Sequence, residues 1–122
     1  MHDFRRLRVW QLSREFAVSV DTTTRRFPRV DRGVIAGQLR RAALSIPANI
    51  AEGCGKSSPR ETLRFLQIAS GSTREAESHL MIAGDLKYID ASTRDVLLAT
   101  ATTIEKMLFK LMSRLHRGAG PA

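Results

Sequence analysis

The feature that most limits the possible folds is the spacing of apolar residues, which recur every three or four positions in four long runs. Proline- and glycine-containing corners separate these runs, and no run alternates with the two-residue period of a strand. The pattern predicts an all-α protein without strands. Its four helices are expected over Leu7–Arg26, from Asp31 to Gly53, from Ser58 to Lys87, and from Asp90 through Leu115.

Local signals mark where these helices begin. Ser58, Pro59 and Glu61 form a capping-box pattern, in which the serine caps the helix and proline occupies its first position. Asp31 and Asp90 are expected to cap the second and fourth helices. Pro47 lies inside the second run, so we expect a kink near Ala43–Leu44 or a division into two shorter helices.

Short corners between long helices favour an antiparallel, up-and-down four-helix bundle, because such a connection returns the chain beside its predecessor. A length of 122 residues suits one domain with one core. We therefore expect a single domain over residues 1–117 and a disordered tail over residues 118–122.

The charge of the chain is strongly basic and unevenly distributed along the sequence. The net charge is +8, and residues 1–41 hold ten arginines against four acidic residues. Arginine forms bidentate contacts with phosphate, so nucleic acid is one natural partner and a solvated, solubilising surface is the alternative. Lys106 and Lys110, on the outer face of the fourth helix, are expected to contribute less to nucleic-acid binding than the arginines. The predicted nucleic-acid-binding residues are Arg25, Arg26, Arg29, Arg32, Arg40, Arg41, Lys56 and Arg60.

Two further groups of residues do not fit the simple core pattern. Gln38, Asn49 and Glu77 lie on or beside the inner faces of the second and third helices, where unpaired polar groups would be costly. We predict that they form a structural polar network, with Arg41 reaching Glu77. The second group lies off the apolar stripes and is predicted to form an oligomer interface: Ile68, Ile82 and Phe109.

No combination of residues predicts catalysis, a cofactor or a metal site. Cys54 is the only cysteine, and the three histidines lie in different segments without metal-ligand spacing. The glycine-lysine-serine run at residues 55–57 lacks the first glycine and the preceding strand of a phosphate loop. No apolar stretch approaches the length of a membrane span, so we expect a cytoplasmic, non-enzymatic protein.

Three segments carry a resemblance to a known family. They are VWQLSREF in the first helix, FPRVDRGVIAGQLRRAALSIPANIAEGCGKSSPRE through the middle, and FLQIASGSTREAESHL in the third helix. Together they resemble the four-helix-bundle proteins encoded by intervening sequences in bacterial 23S ribosomal RNA genes, over about Phe4 to Met112. That family is itself similar to the accessory variability proteins of diversity-generating retroelements. The resemblance implies a four-helix bundle assembled into a homopentameric ring, and it implies no catalytic residues.

Two functional hypotheses follow. In the first, a non-enzymatic oligomer binds RNA or DNA through arginine-rich surfaces without strong sequence specificity. In the second, the ring is a protein-interaction scaffold that organises an acidic protein partner. Free, exposed arginines would favour the first hypothesis. The second would be favoured by arginines held in salt bridges with the nearby carboxylates of Glu15, Asp21, Glu61 and Glu75.

Overall fold

The computed structural model describes residues 3–118, and these residues form an all-helical chain. Its four α-helices are α1 (Arg8–Thr24), α2 (Val34–Cys54), α3 (Pro59–Asp85) and α4 (Ala91–His116). Short 3₁₀ turns at Phe4–Arg6 and Arg29–Asp31 precede α1 and α2. The described range contains no strand, which confirms the all-α class. Residues 119–122 of the predicted disordered tail lie outside the described residues.

The caps of α3 and α4 are as predicted. The backbone amide of Glu61 donates to the hydroxyl of Ser58 at 3.2 Å, with Pro59 at the first helical position. The amide of Thr93 donates to the Asp90 carboxylate at 2.7 Å. This hydrogen bond holds the pKa of Asp90 below its usual value, because it favours the charged form of the carboxyl.

The start of α2 differs from the prediction. The helix begins at Val34, three residues after Asp31, because Arg32 and Gly33 both adopt left-handed backbone angles (φ 53° and 76°). Asp31 is nevertheless a cap. Its buried carboxylate accepts hydrogen bonds from the amides of Ile35 and Ala36, each at 3.0 Å. The aspartate therefore satisfies first-turn amides from outside the helix.

Of the two alternatives expected for Pro47, the division into two shorter helices does not occur, since α2 is continuous from Val34 to Cys54. Gly53 does not stop it either. A Cβ atom at Gly53 would lie 3.0 Å from the Cβ of Phe65, so this glycine allows α2 and α3 to approach closely. The Gly53 carbonyl accepts a hydrogen bond from the Thr62 hydroxyl at 2.8 Å.

Contacts between neighbouring helices show that the bundle is antiparallel. Gly53 near the end of α2 meets Thr62 near the start of α3, whereas Arg41 near the start of α2 meets Glu75 in the second half of α3. Each of α2, α3 and α4 packs on the helix before it, and α4 packs on α1. Diagonal pairs of helices do not pack together within the described chain. This is the up-and-down order expected from the short corners.

The core lies along the predicted stripes of α3 and α4. On α4, the buried side chains follow the predicted spacing from Leu97 through Ile104 and Leu108 to Leu115. On α1, Phe16 and Val20 are buried as expected, whereas Thr23 is only half-buried and Thr24 takes the inner position. Among residues 3–118, no helix combines the length and the apolar character that a bilayer span requires.

Candidate nucleic-acid interface

Folding redistributes the charge between the two ends of the bundle. One half of the bundle, which we call the basic half, comprises residues 3–16, 44–72 and 104–118. It contains the start of α1, the end of α2, the start of α3 and the end of α4. It carries eleven basic and five acidic residues, a net charge of +6. The other half, residues 17–43 and 73–103, carries nine basic and seven acidic residues, a net charge of +2. One end of the bundle therefore concentrates the positive field.

The eight predicted nucleic-acid-binding residues do not form one surface. Six of them lie in the other half and only Lys56 and Arg60 lie in the basic half. The 21 residues of α2, at about 1.5 Å each, place Arg25, Arg26, Arg29 and Arg32 roughly 30 Å from Lys56 and Arg60. Arg40 and Arg41 lie within α2, about 24 Å before Lys56 along the helix. The prediction treated them as one surface because most of them are close together along the chain. In an antiparallel bundle, however, segments that are distant in sequence lie at the same end of the bundle.

Three of the predicted arginines do share a site at the corner between α1 and α2. Arg29, Arg32 and Arg40 line one pocket there, together with Asp31, whose carboxylate is occupied by backbone amides. Arg40 also donates to the hydroxyl of Thr24 at 3.1 Å. This corner is a small basic pocket on the less basic half of the protein.

Salt bridges engage only part of the predicted set. Arg25 pairs with Asp21 at 3.0 Å, and Arg41 pairs with Glu75. Among residues 3–118, five arginines of the set make no ion pair with a carboxylate: Arg26, Arg29, Arg32, Arg40 and Arg60. Exposed ion pairs contribute little stability, so even the paired arginines could exchange partners with a phosphate at small cost.

Lys56 lies beside an aromatic ring in the basic half. Its Nζ atom is 4.9 Å from the centroid of the Phe65 ring and 3.9 Å from the carboxylate of Glu52. The guanidinium of Arg64 approaches the same ring at 6.0 Å. Three basic side chains, those of Lys56, Arg60 and Arg64, therefore gather around the first turns of α3.

A second basic cluster was missed by the sequence analysis. Arg6 and Arg8 line one wall of a groove at the start of α1, and Lys110 and Arg114 of α4 line the other wall. We call this the terminal groove. Lys110, which the sequence predicts to contribute less to binding than the arginines, lines this groove because antiparallel packing brings the last turns of α4 beside the first turn of α1. In the sequence, about 100 residues separate the two walls.

The predicted polar network divides into separate parts. Arg41 donates to Gln38 at 3.1 Å and pairs with Glu75, so its predicted contact with Glu77 is wrong. Glu75 also contacts His79 at 3.2 Å. Separately, the Asn49 side chain donates to the carbonyl of Ser45 at 2.8 Å, and the Ser45 hydroxyl is 2.7 Å from that of Ser72.

Glu77 is half-buried and makes no side-chain hydrogen bond or ion pair within the described residues. Ala76 takes the buried position on α3 instead, so Glu77 lies at the edge of the apolar stripe. Burial raises the pKa of Glu77, the nearby Glu105 carboxylate raises it further, and Arg74 opposes the shift. The ionised form of Glu77 is therefore disfavoured by its surroundings, and Glu77 is not the centre of a polar network.

We expect Glu77→Gln to increase the free energy of unfolding at pH 7 by up to about 1 kcal/mol, the upper range for exposed charge pairs. Because the pKa of Glu77 is raised in the folded protein, protonation of this carboxyl stabilises the fold. This contribution is fully present below pH 4.5 and is lost as the pH rises through the folded-state pKa. The advantage of the variant should therefore shrink as the pH falls from 7 toward 4.5. Urea unfolding at several pH values measures this difference.

Glu75→Gln is the matched control, because it removes a carboxylate that has partners. It should lower stability slightly at pH 7, since Arg41 loses its negatively charged partner. A Glu77→Gln variant less stable than the parent protein at pH 7 would contradict this assignment and would indicate a hidden partner for Glu77.

The predicted interface residues are exposed, as their positions off the apolar stripes indicated. Ile68 and Ile82 on α3 are 42% and 44% exposed, and Phe109 on α4 is 62% exposed. They do not belong to the core of the subunit. Their role in assembly remains a prediction.

Cys54 is part of the core at the end of α2. It is 1% exposed and packs within the main apolar cluster. Burial raises the pKa of its thiol, which favours the neutral form. A neutral, buried thiol is a packing group and a poor nucleophile.

Comparisons with known proteins bear on this architecture. The family model described as 23S rRNA-intervening sequence protein matches residues 5–110. A crystal structure from Bacteroides thetaiotaomicron, described as a protein of unknown function from the S23 ribosomal protein family, superposes with a TM-score of 0.79. It is 27% identical in sequence, and the match covers 85% of this chain and 97% of that chain. No functionally curated protein matches. The resemblance seen in the sequence is confirmed, and the chain belongs to the 23S rRNA-intervening sequence protein family.

Proposed function

We propose that the protein binds nucleic acid, RNA or DNA, through its basic half, without catalysis and without strong sequence specificity. The observation that carries the proposal is the +6 charge of this half, against +2 for the other. Lysine and arginine side chains of the basic half can neutralise phosphates of a nucleic acid. The release of the counterions condensed on the nucleic acid then drives binding.

The kind of contact available explains the expected lack of sequence specificity. The cations of the basic half are long, mostly exposed side chains on helix ends and corners. Such side chains reach phosphate oxygens, which carry no direct sequence information. Neither a strand nor an established recognition motif presents base-reading groups within the described residues. Affinity should therefore depend on charge and salt more than on base sequence.

We also propose that the protein assembles with itself, as the five-fold ring of its family implies. Exposed Ile68, Ile82 and Phe109 are the candidate contacts. Assembly would place several basic halves in one particle, and simultaneous contacts along one nucleic acid would raise the effective affinity.

Ile82→Asp and Phe109→Asp test the assembly. Each is expected to retain the helical circular dichroism signal, because both residues are exposed, and to reduce the particle mass by weakening the contact between subunits. Size-exclusion chromatography with light scattering measures the mass. If both variants elute with the mass of the unmodified protein, these residues are not the interface.

The location of the binding surface is tested with two double variants that each remove two charges. Lys56→Gln with Arg60→Gln removes two positive charges from the basic half, and Arg25→Gln with Arg26→Gln removes two from the other half. We expect the first pair to weaken binding to a single-stranded RNA about tenfold at low salt and to flatten the salt slope by about 1.4 units, if both residues contact phosphates. The second pair should have a smaller effect.

Fluorescence anisotropy with a labelled RNA oligonucleotide provides the measurement. Equal losses in both double variants would contradict a localised surface. An absence of binding by the unmodified protein at low salt would reject the nucleic-acid function. Selective capture of an acidic protein under the same conditions would then favour the scaffold hypothesis.

A further inference from the structure

The terminal groove differs from the other basic sites because both of its walls are positive. Arg6 and Arg8 face Lys110 and Arg114 across it, and no acidic residue lines it. None of these four cations forms an ion pair with a carboxylate within residues 3–118. Apolar side chains form the rest of the lining: Leu7, Val9, Met107 and Leu111.

This arrangement places like charges across the seam between α1 and α4. Of the four contacts between neighbouring helices, this seam is the least extensive. Like charges that face each other destabilise a packed contact, and bound anions or added salt reduce that repulsion. The free protein therefore carries an electrostatic cost at its weakest helix contact.

We propose that the terminal groove binds the phosphodiester backbone of a nucleic acid and that the bound phosphates hold α1 and α4 together. The proposal rests on the function proposed above and specifies where the backbone lies. Phosphates between the two walls would contact cations from the beginning and the end of the chain simultaneously. Binding thus stabilises the seam because it replaces repulsion between cations with two sets of favourable contacts.

The proposal has a signature that a purely structural role would not produce. A variant that removes one positive wall should lose affinity and yet keep or gain thermal stability, because the repulsion disappears. Salt should likewise act in opposite directions: it should raise the melting temperature of the free protein and weaken the complex with nucleic acid.

The test uses two variants. The groove variant combines Lys110→Gln and Arg114→Gln, and the control variant, Lys87→Glu, lowers the net charge by the same two units in the other half. For a single-stranded RNA oligonucleotide at low salt, we expect the groove variant to bind about tenfold more weakly with a salt slope smaller by about 1.4 units. Its melting temperature without RNA should equal or exceed that of the unmodified protein. Lys87→Glu should reduce the affinity by less.

A second variant, Arg6→Gln with Arg8→Gln, removes the opposite wall and should reproduce both effects. Unchanged affinity in both groove variants, while the unmodified protein still binds RNA, would overturn the groove and leave the proposed function standing. Loss of affinity together with a lower melting temperature in both variants would also overturn it, because the four cations would then be structural. Binding to anionic phospholipid vesicles but not to RNA would reject both proposals.

Discussion

A Phe16→Ala variant is expected to lose about 3–5 kcal/mol of its free energy of unfolding, the range measured for truncation of a buried phenylalanine. Phe16 is 1% exposed, lies in the middle of α1 and belongs to the main core cluster. The substitution removes an aromatic ring from α1, whose contact with α4 is the least extensive in the bundle. The free energy of unfolding of a natural domain is roughly 5–15 kcal/mol in total. The variant should therefore unfold at a much lower denaturant concentration than the unmodified protein.

Val18→Ala is the control for this prediction, because Val18 lies two residues away on the same helix and is 63% exposed. Its effect should stay within about 0.5 kcal/mol. Urea unfolding followed by circular dichroism, at one fixed protein concentration, compares the two variants. Similar losses in both would mean that the described core does not account for the stability of the folded protein.

Gly53→Val is expected to lower the free energy of unfolding by about 1–3 kcal/mol through overpacking. A Cβ atom at this position would lie 3.0 Å from the Phe65 Cβ and 3.3 Å from the Thr62 carbonyl oxygen. Neither atom is at the end of a flexible side chain, so the two helices would have to separate. The contact between α2 and α3 is the most extensive in the bundle, which makes its displacement costly.

Gly71→Ala provides the matched control within a helix. No atom lies within 4 Å of the position that its Cβ would occupy, so the alanine should add about 0.5–1 kcal/mol of stability through helix propensity alone. The same unfolding measurement applies. A stabilising Gly53→Val substitution would show that α2 and α3 do not pack as closely as described.

The sequence predicted the helices and most of the core because the signals for both are local. The capping residues Ser58 and Asp90 act within three residues of themselves. Apolar spacing likewise reports burial on each helix without knowledge of its neighbours. The start of α2 was shifted because the consecutive left-handed residues Arg32 and Gly33 are a backbone feature that apolar spacing does not encode.

The contacts between helices could not be predicted in the same way. Whether Arg41 reaches Glu75 or Glu77 depends on the relative rotation and translation of α2 and α3, which helical periodicity leaves open. The two carboxylates lie about 200° apart around α3, so choosing the wrong one reverses the conclusion. The terminal groove was missed for a related reason, since Arg8 and Lys110 become neighbours only after α4 returns beside α1.

Antiparallel packing also changes which part of the protein carries the positive charge. Along the chain, the first 41 residues carry most of the net positive charge. In the folded protein, many acidic residues of α3 and α4 lie in the same half as Arg25 and Arg29, whereas the basic last turns of α4 join Arg6 and Arg8. The electrostatic surface is therefore a property of the bundle, which the order of the residues does not reveal.

The most direct test of the account is the affinity of the unmodified protein for RNA and DNA oligonucleotides of several sequences across a salt titration, with the particle mass recorded in parallel. We predict binding at low salt that weakens linearly on a plot of log affinity against log salt, with little dependence on base sequence. Binding that is absent at low salt, or that is insensitive to salt, would contradict the proposal that the basic half of this bundle is a nucleic-acid-binding surface.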